Sequence, residues 1–516
     1  MTLRRQMADW RRLTGVAHTF LGFTLLLVES GRVDSRPGRR RLSIVVFSLL
    51  ILAGFYVSVV AFLFASADPW TEDLLGDPLA DDGVMTIDDN GGLHMAFVGY
   101  TSIYDLTPDA TFLEYAYMDS TDRDGNWSKT RILKLEHSTP VSLAVDSQNK
   151  AHICTNVEIR DESNSPTGNW TITYATNRDG DWTVEQMVVQ SRIASSMVAI
   201  TPDDAVHLIV LASNPYFWNL SHPQTQTLVD YVKVSAGWEP TNILTFPNNT
   251  ESNLFSVAVG PEGSLCILTS TVYLTEDILV TSSYLSFTTN RGGIWKQSMV
   301  AFRNASWSDQ ASMVLDQTGN PHICYYRIEV GKDISLVYSN VTNGEWTRST
   351  IGWTGHQYSG NGITVDAHGH IHVAYFAGIS TRYVLNFTVR HAEMVGGIWN
   401  VEEVADRRGS SPEHSGYEGF GVFQYASVAV DSRDQVHIAY RYVVVGWNPP
   451  LSETLQYDQY VCYSMNAPSG QLTKASMDAL WYLIPGAAAI AFVCYLFRRR
   501  LVSRAPIEEE PKQPDR

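Results

Sequence analysis

Seven times between Met85 and Arg441 the chain repeats one pattern of apolar and polar positions. An alternating apolar run enters an acidic turn, and a second apolar run leaves it behind a histidine. The copies are MTIDDNGGLHMAF, LAVDSQNKAHICT, VAITPDDAVHLIV, VAVGPEGSLCILT, MVLDQTGNPHICYY, ITVDAHGHIHVAYF and VAVDSRDQVHIAYR, anchored at His94, His152, His207, Cys266, His322, His372 and His437. The spacing averages about 57 residues, a length that with strand-like alternation predicts a β-propeller. Each unit has a second half, in which a tyrosine-bearing strand leads through a Gly-x-Trp turn to another strand. Each blade is therefore expected to hold four antiparallel strands, with Gly, Asn and Asp supplying the tight turns.

The count leaves one strand unfilled. The seventh unit runs out after LQYDQYVCYSM (455–465), with no Trp turn behind it, while a spare WTEDLL begins at Trp70. The N-terminal strand is expected to complete the last blade, so that the ring has no open edge.

Outside the repeats the pattern changes. Residues 42–65 and 479–497 are continuously apolar and long enough to span a bilayer, and arginines flank both on their outer sides. The sequence thus predicts an all-β, seven-bladed propeller flanked by two transmembrane helices. The expected division is a basic cytoplasmic segment 1–41, a helix 42–65, an extracellular propeller 66–470, a helix 479–497 and a cytoplasmic tail 498–516. This places the protein in the cell membrane with both termini inside. Ala65-Ser66-Ala67 resembles a signal-peptidase site, but the long leader and apolar run favour an uncleaved anchor.

The net charge is −17, and the flanks are basic, so the propeller is more acidic than the whole chain. Such a surface repels nucleic acid, and none is expected as a partner. The five cysteines show no repeated spacing and are expected to be buried thiols. Asn-x-Ser/Thr acceptor motifs stand at Asn126, Asn169, Asn219, Asn248, Asn304, Asn340 and Asn386, all within the expected ectodomain.

The repeat VAVDSxxxxHIAY … LxYATNxxGxW resembles the sialidase-like propeller repeats (BNR, related to the Asp-box) of prokaryotic surface proteins. TDRDGNW (121–127) and TNRDGDW (176–182) come nearest the Asp-box, with the glycine two residues before Trp instead of three. The resemblance implies a propeller with a sugar-acting precedent. It carries no catalytic residues over, because Arg327 and Arg441 follow the histidine strand in two blades and no third arginine takes that place.

Six histidines at equivalent positions invite a metal reading, but equivalent positions in a ring do not converge. Five of the seven anchors have an Asp six residues earlier: Asp88, Asp146, Asp316, Asp366 and Asp431. That pairing points to a hydrogen bond tying each hairpin. No catalytic residue, cofactor or metal is assigned. Binding is expected on the face carrying the longer loops, at Asp161, Glu162, Tyr216, Phe217, Trp218, His222, His414, Tyr417, Glu418 and Trp447. The leading expectation is a non-catalytic binding, sensing or adhesion module for protein or glycan. The alternatives are a sialidase-like glycoside hydrolase and a structural subunit of a membrane complex.

Overall fold

The computed structural model describes residues 70–466 apart from 75–79, 101–110, 121–126, 136–139, 162–165, 214–224, 248–249, 275–279, 304–310, 328–333, 355–359, 381–384, 409–419 and 448–454. The chain divides into two compact units, Glu72–Pro468 and a second made of Met1–Thr71 with Ser469–Arg516.

The described elements are all strands, in seven four-stranded antiparallel sheets. A lone strand β1 (Trp70–Leu74) comes first. Blade 1 is β2 (Ala80–Ile87), β3 (Leu93–Tyr100), β4 (Thr111–Met118) and β5 (Ser128–Leu135). Blade 2 is β6 (Val141–Val145), β7 (Ala151–Arg160), β8 (Pro166–Thr176) and β9 (Thr183–Val189). Blade 3 is β10 (Arg192–Ile200), β11 (Val206–Ser213), β12 (Gln226–Val234) and β13 (Gly237–Thr245). Blade 4 is β14 (Thr250–Val259), β15 (Leu265–Leu274), β16 (Val280–Thr289) and β17 (Lys296–Arg303). Blade 5 is β18 (Ala311–Leu315), β19 (Pro321–Arg327), β20 (Ser335–Thr342) and β21 (Glu345–Trp353). Blade 6 is β22 (Asn361–Val365), β23 (Ile371–Ser380), β24 (Leu385–Val395) and β25 (Ile398–Arg408). Blade 7 is β26 (Phe420–Val430), β27 (Val436–Trp447) and β28 (Leu455–Asn466), and its sheet order β1-β28-β27-β26 shows that β1 supplies the fourth strand.

The first strand of each blade touches the first strand of the next, and β26 touches β2, so these strands ring the axis. The fourth strands lie outermost. In β5 and β9 the first four residues are exposed, whereas the first six of β7 are buried. The core is therefore a set of layers between blades. Met85, Leu93, Met95 and Phe97 of blade 1 pack on Ala429, Ala439, Val461 and Tyr463 of blade 7. The closing contact is also polar: Met85 N–H donates to Ser427 Oγ at 3.2 Å, and that hydroxyl donates to Met85 O at 3.0 Å. At Gly362 the inner strands approach so closely that a Cβ would lie 2.7 Å from Ala426 O, which excludes any side chain there.

All seven inner hairpins turn alike. The first turn residue donates its N–H to the carbonyl of the fifth and accepts from the N–H of the fourth, as at Asp88–Gly92 and Asp146–Lys150. The fourth residue takes positive φ every time, at Gly91, Asn149, Asp204, Gly263, Gly319, Gly369 and Asp434. These are the residue types that tolerate that conformation.

The turn carboxylate divides its two oxygens. In blade 2, Asp146 Oδ1 accepts the N–H groups of Gln148 and Lys150, each at 2.9 Å. Its Oδ2 faces His152 Nε2 at 3.2 Å, and His152 Nδ1 meets the Tyr174 hydroxyl at 2.6 Å. The Tyr174 ring then packs edge-on against Trp238 of blade 3, with centroids 5.2 Å apart. Asp, His, Tyr and the next blade's Trp thus form a relay from turn to neighbour. Blade 1 repeats it with Asp88, His94, Tyr115 and Trp182. In blades 5 and 7 the histidine keeps its tyrosine, and its carboxylate contact lengthens to 3.5 and 3.6 Å. Burial lowers the affinity of His94, His152 and His322 for a proton, outweighing their Asp partners. In blades 1 and 2 the neutral ring then donates from Nε2 to the carboxylate and accepts the tyrosine O–H at Nδ1. Burial likewise pushes the Tyr174 hydroxyl up to about 12, so it stays a donor.

Four of the five cysteines, Cys154, Cys266, Cys324 and Cys462, are buried free thiols, as the spacing implied. The membrane helices require correction. Residues 42–65 and 479–497 lie outside the described residues, and among the described residues no helix is long and apolar enough to cross a membrane. The described apolar runs are strands whose side chains are used between blades. The fold is stated as the all-β propeller alone. The two flanking spans, the membrane as partner, and the membrane location with an outside ectodomain and cytoplasmic termini do not stand.

The architecture can be tested in three ways. Deleting residues 70–74 leaves β28 as an unpaired edge, so the shortened protein melts lower and aggregates, as calorimetry and light scattering will read. An unchanged melting curve would refute closure by β1. Asp146→Ala orphans two turn amides and one imidazole N–H and costs about 3 kcal/mol or more in urea unfolding. Asp316 gives the pH signature. Burial raises its carboxyl, but hydrogen bonds from Thr318 and Asn320 prevail and hold it at about 2 against the ordinary 3.8. Its depressed value means that its contribution is full above pH 3.8 and is lost as pH falls towards 2. The stability gap between Asp316→Asn and the parent should close across that window.

Candidate functional site

The ring of histidines is occupied by the relay, and among the described residues no group of three His, Cys, Asp or Glu side chains could hold a metal ion. A site for chemistry has to be sought where side chains are not already engaged in tying hairpins.

Because strand direction alternates, the β2–β3 and β4–β5 turns and their equivalents share one face. The starts of the inner strands and the links between second and third strands share the other. On this second face a cavity of about 280 Å³ opens between blades 2, 3 and 4. Its floor and walls come from Pro140 and Asn156, from Trp170 near the start of β8, from Arg192, Ile193 and Ala194 at the start of β10, from Ser213 and Gln226, and from Glu251, Ser252 and Asn253 at the start of β14.

The local fold explains the positions. Gln226 is buried and clamps the next blade, accepting Ser252 N–H at 2.6 Å and donating to Ser252 O at 3.4 Å. The clamp fixes the strand that carries Glu251 and Asn253, both exposed at the rim. Asn156 is buried, and its Oδ1 accepts the Ser196 hydroxyl at 2.9 Å. Ser196 in turn accepts the Cys154 thiol at 3.4 Å. Burial pushes that thiol up to about 12, which keeps it a neutral donor. The result is a polar bowl with one aromatic side chain, one guanidinium, one carboxylate and several amide and hydroxyl groups. It can receive a hydroxyl-rich ligand with one flat apolar face.

A second cavity, of about 330 Å³, lies on the tight-turn face between the turns of blades 3 and 4, lined by Thr201, Pro202, Asp203, Ala205, His207, Glu262 and Gly263. Thr201 stands here where five other blades have the turn Asp, and His207 Nδ1 pairs instead with Asp230, 3.0 Å from each carboxylate oxygen.

Of the residues expected on the binding face, Asp161 follows β7 and is exposed, and Trp447 ends β27 opposite Leu455. Glu162, Tyr216, Phe217, Trp218, His222, His414, Tyr417 and Glu418 lie outside the described residues. The segment with Tyr216, Phe217, Trp218 and His222 joins β11 to β12, whose end residues Ser213 and Gln226 line the first cavity. Among the glycosylation motifs, Asn169 is half-buried in β8 and Asn340 half-buried in β20, where its side-chain oxygen accepts the Thr347 hydroxyl. Asn386 lies in β24, and Asn126, Asn219, Asn248 and Asn304 are outside the described residues.

Sequence reasoning missed the cavity residues themselves. One signal was present: Trp170 falls outside the register of the repeated tryptophans. Arg192, Gln226 and Glu251 gave none, because only the stacking of three blades brings them together.

No family model and no curated protein matches this chain. Solved structures of similar shape include a polysaccharide lyase described as a PL25 ulvan lyase, at 11% identity over 76% of this chain and 96% of that one, with a TM-score of 0.48. The NanB sialidase from Streptococcus pneumoniae aligns at 12% identity over 77% of this chain and 70% of its own, with a TM-score of 0.40. A fungal alcohol oxidase of the AA5 family, in complex with copper, aligns at 10% identity over 79% and 78%, with a TM-score of 0.42. At these identities the likeness concerns the propeller fold alone.

Proposed function

We propose that this propeller engages a saccharide, one sugar unit of which sits in the cavity between blades 2, 3 and 4. The observation that carries the reading is the cavity's composition. A pyranose offers an apolar face for an aromatic ring and a girdle of hydroxyls for amides, hydroxyls and charged groups. Trp170 supplies the first, and Asn156, Arg192, Gln226, Glu251 and Asn253 supply the second. The volume of about 280 Å³ suits one or two such units. A protein-adhesion surface would call for a broad apolar patch instead, and the lining here is mainly polar.

A sugar-acting propeller of sialidase-like type and a glycan-binding module share this first step, and Glu251 separates them. Hydrolysis usually takes a pair of carboxyl groups, and among the described lining residues Glu251 is the one carboxylate.

The test is a glycan array followed by calorimetric titration of the best binder. Arg192→Ala and Asn253→Ala should each weaken binding about tenfold, equivalent to about 1.4 kcal/mol, with the melting temperature unchanged. Turnover of the bound glycan that Glu251→Gln abolishes would assign the enzyme; binding without turnover would assign the module. Binding indifferent to both cavity variants would overturn the site.

A further inference from the structure

Blade 6 departs from its neighbours at one position, and the departure changes how many protons the blade holds. In blades 1, 2, 5 and 7 a tyrosine hydroxyl faces the Nδ1 of the relay histidine. In blade 6 the same place on the third strand is His391. His372 Nδ1 and His391 Nε2 are 3.0 Å apart. The rings lie within 10° of parallel with centroids 5.3 Å apart, the separation of an end-to-end N–H···N bond and too long for face-to-face stacking. At one end His372 Nε2 stands 3.4 Å from Asp366 Oδ2. At the other, His391 Nδ1 stands 2.9 Å from Glu402 Oε1.

The sequence of groups is carboxylate, imidazole, imidazole, carboxylate. Each of its three joints needs one proton to be a hydrogen bond. Two neutral imidazoles carry two protons between them, and ionised carboxylates carry none. The complete chain therefore holds three protons and one positive charge, set between two negative ones. We propose that Asp366, His372, His391 and Glu402 form a proton-binding site that takes up one proton on acidification and releases it as pH rises, making blade 6 the pH-responsive element of the ring.

The surroundings place the added proton. His372 is buried, and burial, reinforced by the adjoining His391, lowers its affinity for a proton. Glu402 is half-exposed, with 47% of its side chain open to solvent, and it touches His391. Glu402 is the counter-ion at the outer end of the pair and its route to solvent. Other charged groups on the same blade are engaged nearby. His370 contacts Asp366 at 3.0 Å and Glu393 at 3.8 Å. Exposed His368 reaches Asp434 of blade 7 at 3.3 Å. Arg390 and Glu403 are register partners. Strand β22 and strand β26, which packs against β23 and β24, bring no charged side chain. On the blade 5 side, β19 brings His322, held in its own relay, and Arg327 at the opposite end. When the proton leaves, one of the three joints opens, and the link from the 366–370 turn through β23 and β24 to β25 is broken there.

Nitrogen-15 NMR of the full chain with labelled histidine tests this between pH 5 and 8. The expected result is three protonated ring nitrogens on the His372–His391 pair at pH 5 and two at pH 8, while His94 and His152 stay neutral throughout. His391→Tyr restores the arrangement of the other blades, so His372 should remain neutral with its proton on Nε2 across the range. Glu402→Gln, at a half-exposed position, should move the uptake to lower pH by about a unit. A pair that is neutral at pH 5, a pair that becomes doubly charged, or an unmoved titration in Glu402→Gln would each overturn the proposal.

Discussion

The turn carboxylate is the constraint on which the blades depend. In blades 1, 2, 5, 6 and 7 its Oδ1 accepts two amides of its own turn at 2.7–2.9 Å, and its Oδ2 faces the histidine of the following strand. One side chain thereby fixes the turn's backbone and aims a ring at the third strand. Outside blade 6 that ring holds a tyrosine, and the tyrosine supports the tryptophan of the next blade. A blade is only four short strands and cannot bury its faces alone. The relay links each of these hairpins to the neighbouring sheet through a tyrosine–tryptophan contact in blades 1, 2, 5 and 7. In blades 1 and 2 both ring nitrogens of the histidine have a hydrogen-bond partner, which avoids the cost of orphaned groups there.

The three blades that break the pattern show what it requires. Blade 3 lacks the turn carboxylate, and Asp230 on the third strand replaces it from the other side of His207. The imidazole keeps an acceptor for one N–H, at a different nitrogen. Blade 4 drops the charge altogether. Cys266 stands for His and Phe287 for Tyr, the thiol meets Thr289 at 3.3 Å, and Phe287 still packs on Trp346. Carboxylate, imidazole and phenol are lost together, so none of the three side chains is left facing a missing partner. Blade 6 keeps the carboxylate and histidine but exchanges the tyrosine for a second histidine, and so turns a neutral relay into one that can hold a charge.

The tight-turn face is thus committed to architecture. The opposite face is free of that duty. Its inner-strand starts converge near the axis, and in the sector of blades 2 to 4 they leave a polar cavity whose walls belong to three sheets. The clamp of Gln226 on Ser252 shows how one blade positions the cavity residues of another. Function in such a ring is therefore read from neighbours in space and not from neighbours in the repeat.

Much of the fold was legible because it is periodic. The spacing of His94, His152 and their equivalents counted the blades, the missing seventh Trp turn and the spare Trp70 foretold the closing strand, and the Asp-to-His interval of six announced the hairpin bond. All of these are local or register effects, which a repeat multiplies until they stand out. The apolar runs 42–65 and 479–497 read as membrane spans by composition, an expectation that the described strands do not bear out. The cavity was not legible, since Asn156, Arg192, Gln226 and Glu251 share no spacing and meet only after three sheets stack. Nor was the His372–His391 contact, because His391 carries no signature in its own strand. The number of blades, their turns and their closure follow from the repeat, through hydrogen bonds made within a few residues or recurring at a fixed period. The tertiary structure alone decided which unlike side chains became neighbours, because that depends on inter-blade packing across distances that no local pattern encodes.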